Sequence, residues 1–486
     1  MDHDIPVGGR VSGHRLARLL GDWRRRGARQ GTTDLAAGIR MLVVEGQLPA
    51  GTRLPAEREI ADALPVSRTL VSAALDQLRE DGLVASRRGA GSWITVPSGV
   101  FRPVTDLVPA ERGLIDLARA APPALPNLAA AMDAVRLRMP EHLAGHGYHE
   151  HGVLELRKLI ADRYSARGLP TSPDQIVVTS GAQHAIGLAL RLFTGPGDRV
   201  LVEQPSYPNA LDAIRSMSAI PVPVPLTSEG WDLPGIAAAL RQAAPRVAYL
   251  VLDFHNPTGH RLDAPGRARL GELLRRARTP AIIDESLVDL DLDGDPEDAP
   301  PPMAAFADEL VVTIGSASKS HWGGMRIGWI RATPDVAHRL VSTRTSVDLG
   351  TPVFEQLLTA ELLAGSDSAL RGRRVELALQ RDVLIDSLRE HCPGWAVRRP
   401  SGGLVLWCGL DAPISTRIAV MAQSHGVRLA PGARFAAQGG LERWLRLPYA
   451  LPSDVLRDAA RRLGSVAALV AGSTTAIDGD LAVPVA

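Results

Sequence analysis

Five short apolar runs, Gln175 to Thr179, Arg199 to Val202, Val247 to Leu252, Pro280 to Ile283 and Glu309 to Ile314, alternate with longer helical stretches. Strands covered on both faces read as near-continuous apolar segments, and helical crossovers join them, so this rhythm predicts an α/β fold built on a parallel sheet. In such sheets the functional groups gather where strands end and loops begin. The 486 residues exceed a single domain of roughly 100 to 200 residues, so more than one domain is expected. With 45% hydrophobic and 22% charged residues and a mean hydropathy of +0.02, the chain can bury a core. No apolar run approaches the ~20 residues of a membrane-spanning helix. The start, Met1-Asp2-His3-Asp4, lacks a basic stretch followed by an apolar one, so the cytoplasm is the expected location.

The strand ends carry chemistry in a coherent order. The run at 175–179 ends in Ser180-Gly181-Ala182-Gln183 and leads into an apolar helix whose first amides suit a phosphate. The run at 247–252 precedes Asn256-Pro257-Thr258-Gly259, and the run at 280–283 delivers Asp284. The run at 309–314 is followed by Ser316-Ala317-Ser318-Lys319, with Arg326 seven residues further on. Only Lys158 and Lys319 are lysines among 54 basic residues, so each was kept against a strong arginine bias. A lysine amine condenses with an aldehyde, a carboxylate keeps a pyridine nitrogen protonated, and Ser, Arg and helix amides bind phosphate: together these are the requirements of pyridoxal phosphate. Singly, each motif reads as a turn or a cap. Cys392 and Cys408 have no Cys or His partners at zinc-ligand spacing, so packed or free thiols and no metal are expected.

The front of the chain reads differently. Residues 1–99 hold 14 Arg against 11 Asp and Glu, a basic excess that fits a nucleic-acid face or a solvated surface equally well. Leu35, Ile39, Leu42 and Val43 at helical spacing predict a first helix, and Pro55 enters a second that Pro65 ends. Ser67 caps a third carrying Leu70, Val71, Ala74, Leu75 and Leu78 on one face, with Arg68 and Thr69 at its N-terminus. Leu83 to Val96 then reads as a hairpin with a basic, glycine-rich tip. This is the outline of a winged helix-turn-helix, or of a small helical interaction domain. Upstream, Leu16 to Arg29 reads as a solvated, arginine-rich helix.

Gly51-Thr-Arg-Leu-Pro-Ala-Glu-Arg-Glu-Ile-Ala, Val66-Ser-Arg-Thr and the wing from Gly82 to Ile94 closely resemble the GntR family of bacterial transcription regulators. The resemblance implies DNA contacts by Arg58, Ser67, Arg68 and Thr69, and a wing contact by Arg88 and Gly89. From about Leu114 to Gly472 the chain resembles the fold type I aminotransferases. That resemblance implies Lys319 as the Schiff-base lysine, Asp284 as partner of the pyridine nitrogen, Asn256 at the ring hydroxyl and Tyr207 stacked on the ring. Ser180, Ala182, Gln183, Ser316, Ser318 and Arg326 would hold the phosphate. Arg446, in Leu445-Arg446-Leu447-Pro448-Tyr449, would clamp a substrate or effector carboxylate, a bidentate task suited to guanidinium. Tyr148 would reach the site of a partner subunit, implying a homodimer. The family's tyrosine two or three residues after the aspartate is replaced here by Ser286 and Leu287.

The fusion of the two resembles the MocR subfamily, in which the aminotransferase-like domain, with a smaller α+β C-terminal subdomain, serves as a cofactor-dependent sensor. The expected organisation is a helical extension (1–31), the winged helix-turn-helix (32–97), a linker (98–113), the aminotransferase-like domain (114–472) and a tail (473–486). The implied function is a transcription regulator that binds a double-stranded operator and senses an amino compound or pyridoxal phosphate itself, its transamination weak or vestigial. The alternative is a working aminotransferase with an accessory helix-turn-helix.

Overall fold

The apolar stripes read from the first hundred residues fold onto one another in a computed structural model that describes residues 10–20, 31–44, 48, 51–80, 83–87, 91–95, 114–294, 298–365 and 367–478. The chain divides into two units, Met1–Pro109 and Ala110–Ala486. The linker expected at 98–113 and the wing tip at 88–90 lie outside the described residues.

The first unit contains helices α1 (Gly13–Leu20), α2 (Gly31–Val44), α3 (Glu57–Ala63) and α4 (Arg68–Glu80) and a hairpin of β1 (Val84–Arg87) and β2 (Gly91–Ile94). Leu35, Ile39, Leu42 and Val43 of α2 bury against Ile60 and Ala61 of α3 and Val71, Ala74, Leu75 and Leu78 of α4. Each such aliphatic side chain contributes about 1.5–3 kcal/mol when withdrawn from water, and their shared core fixes how the helices cross. β1 pairs antiparallel with β2, Val84 opposite Ile94 and Arg87 opposite Gly91. One expectation is corrected. The upstream segment is not simply solvated: its helix starts at Gly13, and Leu16 is fully buried in the common core. Glu59 of α3 anchors it, accepting from Gly13 N at 2.8 Å and from Arg10 Nη2 at 2.8 Å.

The second unit starts with β3 (Ile115–Leu117). Its main sheet contains β4 (Ile176–Thr179), β5 (Arg199–Gln204), β6 (Ile220–Thr227), β7 (Gly230–Trp231), β8 (Val247–Leu250), β9 (Ala281–Asp284), β10 (Val311–Ser316) and β11 (Gly328–Arg331). Their order is β4-β11-β10-β9-β8-β5-β6-β7. β6, β5, β8, β9 and β10 run parallel as predicted, but β11 lies antiparallel between β10 and β4, and β7 antiparallel on β6, so the sheet is mixed. The chain between β10 and β11 is the short loop bearing Lys319 and Arg326; without a crossover helix the next strand returns in the opposite direction. Alternation sends Ala248, Leu250, Ala281 and Ile283 to one covered face and Val247, Tyr249 and Ile282 to the other.

A second sheet, ordered β12-β13-β15-β14-β3, contains β12 (Ala396–Val397), β13 (Val405–Gly409), β14 (Val427–Pro431) and β15 (Trp444–Pro448). It packs with the helices Asp367–His391 and Ser453–Asp478 around Leu406, Leu445, Leu447 and Leu463, the smaller α+β portion expected from sequence. β3 joins it in parallel with β14, so Ile115–Leu117, near the start of the described residues of this unit, are bound into its last sheet. Among the described residues no helix is long and apolar enough to cross a membrane.

Candidate functional site

The predicted strand-end residues converge at the C-terminal edge of β4, β9 and β10. Gly181, with φ of +87°, turns the chain from β4 into the helix Ala182–Phe193. That backbone conformation favours glycine, and an added Cβ would lie 2.8 Å from Arg326 Nη2 and push the guanidinium aside. Arg326 Nη2 donates to Ser180 O at 3.2 Å, and Ser180 N donates to His184 Nδ1 at 3.1 Å. Across the cleft Ser316 Oγ accepts from Ser318 N at 3.1 Å. Ala182 and Gln183 open the helix, whose first N–H groups have no partner within it. The side chain of Gln183 is turned away, donating to Asn209 O at 3.2 Å, which leaves its backbone amide for the cleft. Gly181, Ser316, Ser318 and Arg326 are thus gathered near a helix N-terminus, an arrangement suited to an anion.

Lys319 donates through Nζ to Ala120 O at 2.8 Å. Burial and the nearby guanidinium groups of Arg446 and Arg326 pull its amine down to about 8, against the opposing pull of Asp284. A neutral amine is the nucleophilic form, and this lysine reaches it far more readily than one in water. Arg446, on β15, is 6% exposed; its Nη2 donates to Ala118 O, and the guanidinium lies 5.1 Å over the ring of Phe435. Its Nε has no partner, no carboxylate pairs with it among the described residues, and burial pulls it down to about 10. Asp284 closes β9 with both oxygens engaged: Oδ1 accepts from Ser286 N at 2.9 Å and Oδ2 from the Tyr249 hydroxyl at 2.9 Å. Tyr207 precedes the helix Pro208–Ser216, accepts at its hydroxyl from Asn209 Nδ2 at 3.0 Å, and feels the charges of Asp284, Arg446 and Arg326. Asn256 presents a buried Oδ1 with no partner.

Three groups escaped the sequence reading. Tyr249 is the buried donor to Asp284; a phenol within the otherwise aliphatic β8 was its available signal. The carbonyls of Ala118 and Ala120 receive Arg446 and Lys319 and carried no signal, because any residue supplies a carbonyl. Phe435 comes beneath Arg446 from the short turn Gly432–Phe435 that precedes β15. Tyr148 is 59% exposed, with its ring against His146.

In the first unit Ser67 Oγ accepts from Leu70 N at 3.2 Å, the N-cap bond its position predicted. Ser67, Arg68 and Thr69 stand exposed at the start of α4, and Arg58 is exposed on α3. Arg88 and Gly89 lie outside the described residues.

Comparisons with known proteins divide at the same two regions. Residues 112–463 match the family described as aminotransferase class I and II, and residues 32–94 match the bacterial regulatory proteins of the gntR family. The 2-aminoadipate transaminase of Thermus thermophilus is 32% identical over 71% of this chain and 87% of its own length. The pyridoxine biosynthesis transcriptional regulator PdxR of Corynebacterium glutamicum, an HTH-type protein, is 31% identical over 82% of this chain and 87% of its own length. Among solved structures, the α-aminoadipate aminotransferase LysN of Thermus thermophilus, complexed with N-(5'-phosphopyridoxyl)-L-leucine, superposes with a TM-score of 0.68 at 26% identity. That match covers 78% of this chain and 100% of LysN.

Proposed function

This chain belongs to the aminotransferase class I and II family and, through its gntR-type head, to the MocR regulators; from that premise we propose that it is a pyridoxal phosphate-dependent DNA-binding transcription regulator whose large unit senses an amino compound. The residues present suit the cofactor. The turn at Gly181 has the positive φ that favours glycine and brings its backbone against Arg326, Asn256 Oδ1 is buried without a partner, and Asp284 offers a carboxylate at a strand end. Ser180, Ala182, Ser316, Ser318, Arg326 and the Gln183 amide would hold the phosphate, Asn256 the ring hydroxyl, Asp284 the ring nitrogen and Tyr207 the ring face. When bound, the cofactor supplies an aldehyde for condensation with a primary amine and a ring that withdraws electrons.

The observation that carries the sensing role is Arg446. A buried guanidinium without a carboxylate is a costly arrangement, and its cost is relieved when an anion arrives. Lys319, close enough to feel that charge, lies where the amine of the same ligand would be met. The effector class is therefore an amino compound carrying a carboxylate. Turnover is slow or absent, because Ser286 and Leu287 provide no phenol at the ring hydroxyl.

Exposed Ser67, Arg68 and Thr69 on α4 suit base and phosphate contact in the major groove, and Arg58 a neighbouring phosphate. Tyr148, with Leu143, Val347 and Leu349 also exposed, suits a partner copy that completes the sensing site. Such a regulator acts in the cytoplasm, where its operator is. The test is the visible absorbance of the cofactor-loaded protein: a borohydride-reducible band that is absent in Lys319→Ala supports the assignment, and a reducible adduct retained in that variant moves it to Lys158 or another amine.

A further inference from the structure

The carboxylate that faces the ring nitrogen in this reading is held from behind by a residue on the neighbouring strand. Parallel pairing places Tyr249 opposite Ile282, so Tyr249 and Asp284 project to the same face of the sheet, one step apart on the diagonal. The Tyr249 ring is fully buried in the core on that face with Ile282, Ile314 and Ile330. Its hydroxyl donates to Asp284 Oδ2 at 2.9 Å, while Ser286 N holds Oδ1 at 2.9 Å. Glu203, another buried carboxylate, is engaged elsewhere, by Trp231 Nε1 at 3.1 Å and Val251 N at 2.9 Å.

We infer that Tyr249 is the positioning residue for the cofactor: through its hydroxyl it fixes the orientation of Asp284 and keeps that carboxylate the acceptor, so that the proton it shares with a ring nitrogen stays on the nitrogen. The inference rests on the pyridoxal phosphate reading above. Burial and the proximity of Asp284 push the Tyr249 phenol well above its ordinary value of 10, so it donates and does not yield its proton to the carboxylate. Each oxygen of Asp284 has one donor; with the Tyr249 donor removed, Oδ2 loses its buried partner and the carboxylate is free to turn from the ring nitrogen. Tyr249 does not replace the missing family phenol, which would touch the ring hydroxyl. It acts on the opposite partner of the ring, through Asp284.

The experiment compares full-length wild type, Tyr249→Phe, Asp284→Asn and the double variant. The readouts are pyridoxal phosphate affinity, from the visible band and tryptophan quenching, and the nitrogen-15 shift of a ring-labelled cofactor. Tyr249→Phe is expected to weaken affinity about tenfold, the scale of one hydrogen bond to a charged group. It should also move the ring nitrogen toward its unprotonated shift. In the Asp284→Asn background the same change should have no further effect, because two residues acting as one unit are not additive. Wild-type affinity and shift in Tyr249→Phe, or an undiminished loss in the Asp284→Asn background, overturns the inference. Failure of wild type to bind the cofactor overturns the underlying reading instead. Should Tyr249→Phe not fold, 4-fluorophenylalanine at 249 keeps the ring and fills the space of the hydroxyl without a donor; wild-type affinity and nitrogen shift in that variant are then the overturning result.

Discussion

Gly328 lies between Ser316 of β10 and Thr179 of β4, directly beneath the turn that forms the anion cradle. A Cβ at this position would stand 2.6 Å from Gly181 C, 2.7 Å from Ala182 N and 2.9 Å from Gly315 O. All three are backbone atoms in paired strands or a helix start, so no side-chain rotation relieves the contact. Restoring ordinary separations of 3.4 Å requires the turn to withdraw by about 0.5–0.8 Å. Overpacking of this kind costs about 1–3 kcal/mol of stability. The larger effect is expected on the cradle, because charge-assisted hydrogen bonds to phosphate weaken steeply when donors shift by this much. Gly328→Ala should therefore lower pyridoxal phosphate affinity about 10- to 100-fold, with a drop in Tm. The control is Gly187→Ala, farther along the helix that begins at Ala182, where a Cβ meets nothing within 4 Å. That change should leave affinity unchanged and raise helix stability by up to about 1 kcal/mol. The assay is cofactor titration followed by absorbance, with folding checked by circular dichroism and thermal melting. A folded Gly328→Ala that binds the cofactor as tightly as wild type would refute the account of the cradle.

Two further outcomes are expected, one from each unit. The rate at which the cofactor-free chain captures pyridoxal phosphate should rise about tenfold per pH unit below pH 8 and level off above it, since the Lys319 amine is depressed to about 8 and only its neutral form attacks; stopped-flow absorbance that keeps climbing toward 10.5 would show an unperturbed lysine. Arg68→Ala should cost about 1–3 kcal/mol in discrimination between operator and random DNA at fixed salt, measured by fluorescence anisotropy, and an unchanged preference removes Arg68 from base reading.

The order of chemistry along the chain was legible because strand ends and motifs are local: Gly181, Asn256, Asp284, Ser316 and Lys319 can each be placed from a few neighbours. The helices of the head were legible for the same reason, their apolar stripes being those that bury. The antiparallel insertion of β11 was hidden, because strand direction depends on how the 317–327 loop closes in space rather than on apolar pattern. From sequence Leu16 reads as part of a solvated helix, since its arginine-rich neighbours dominate the local composition; the anchor at Glu59 lies more than forty residues away. Tyr249 and Asp284 are 35 residues apart and meet only through the pairing of β8 with β9. What sequence conceals here is partnership across strands, which is where the orientation of the site is decided.

The decisive measurement of ligand-dependent regulation is binding of the full-length chain to DNA from its own upstream region, with and without pyridoxal phosphate and a panel of amino acids. A ligand acts as an effector only through different affinities for two arrangements of the protein. Sequence-specific binding is expected, with an affinity or operator geometry that changes with cofactor and amino acid, a response lost in Lys319→Ala, and little transamination. Ligand-independent DNA binding together with steady-state transamination at an ordinary enzymatic rate, ~1 to 10³ per second, would contradict it.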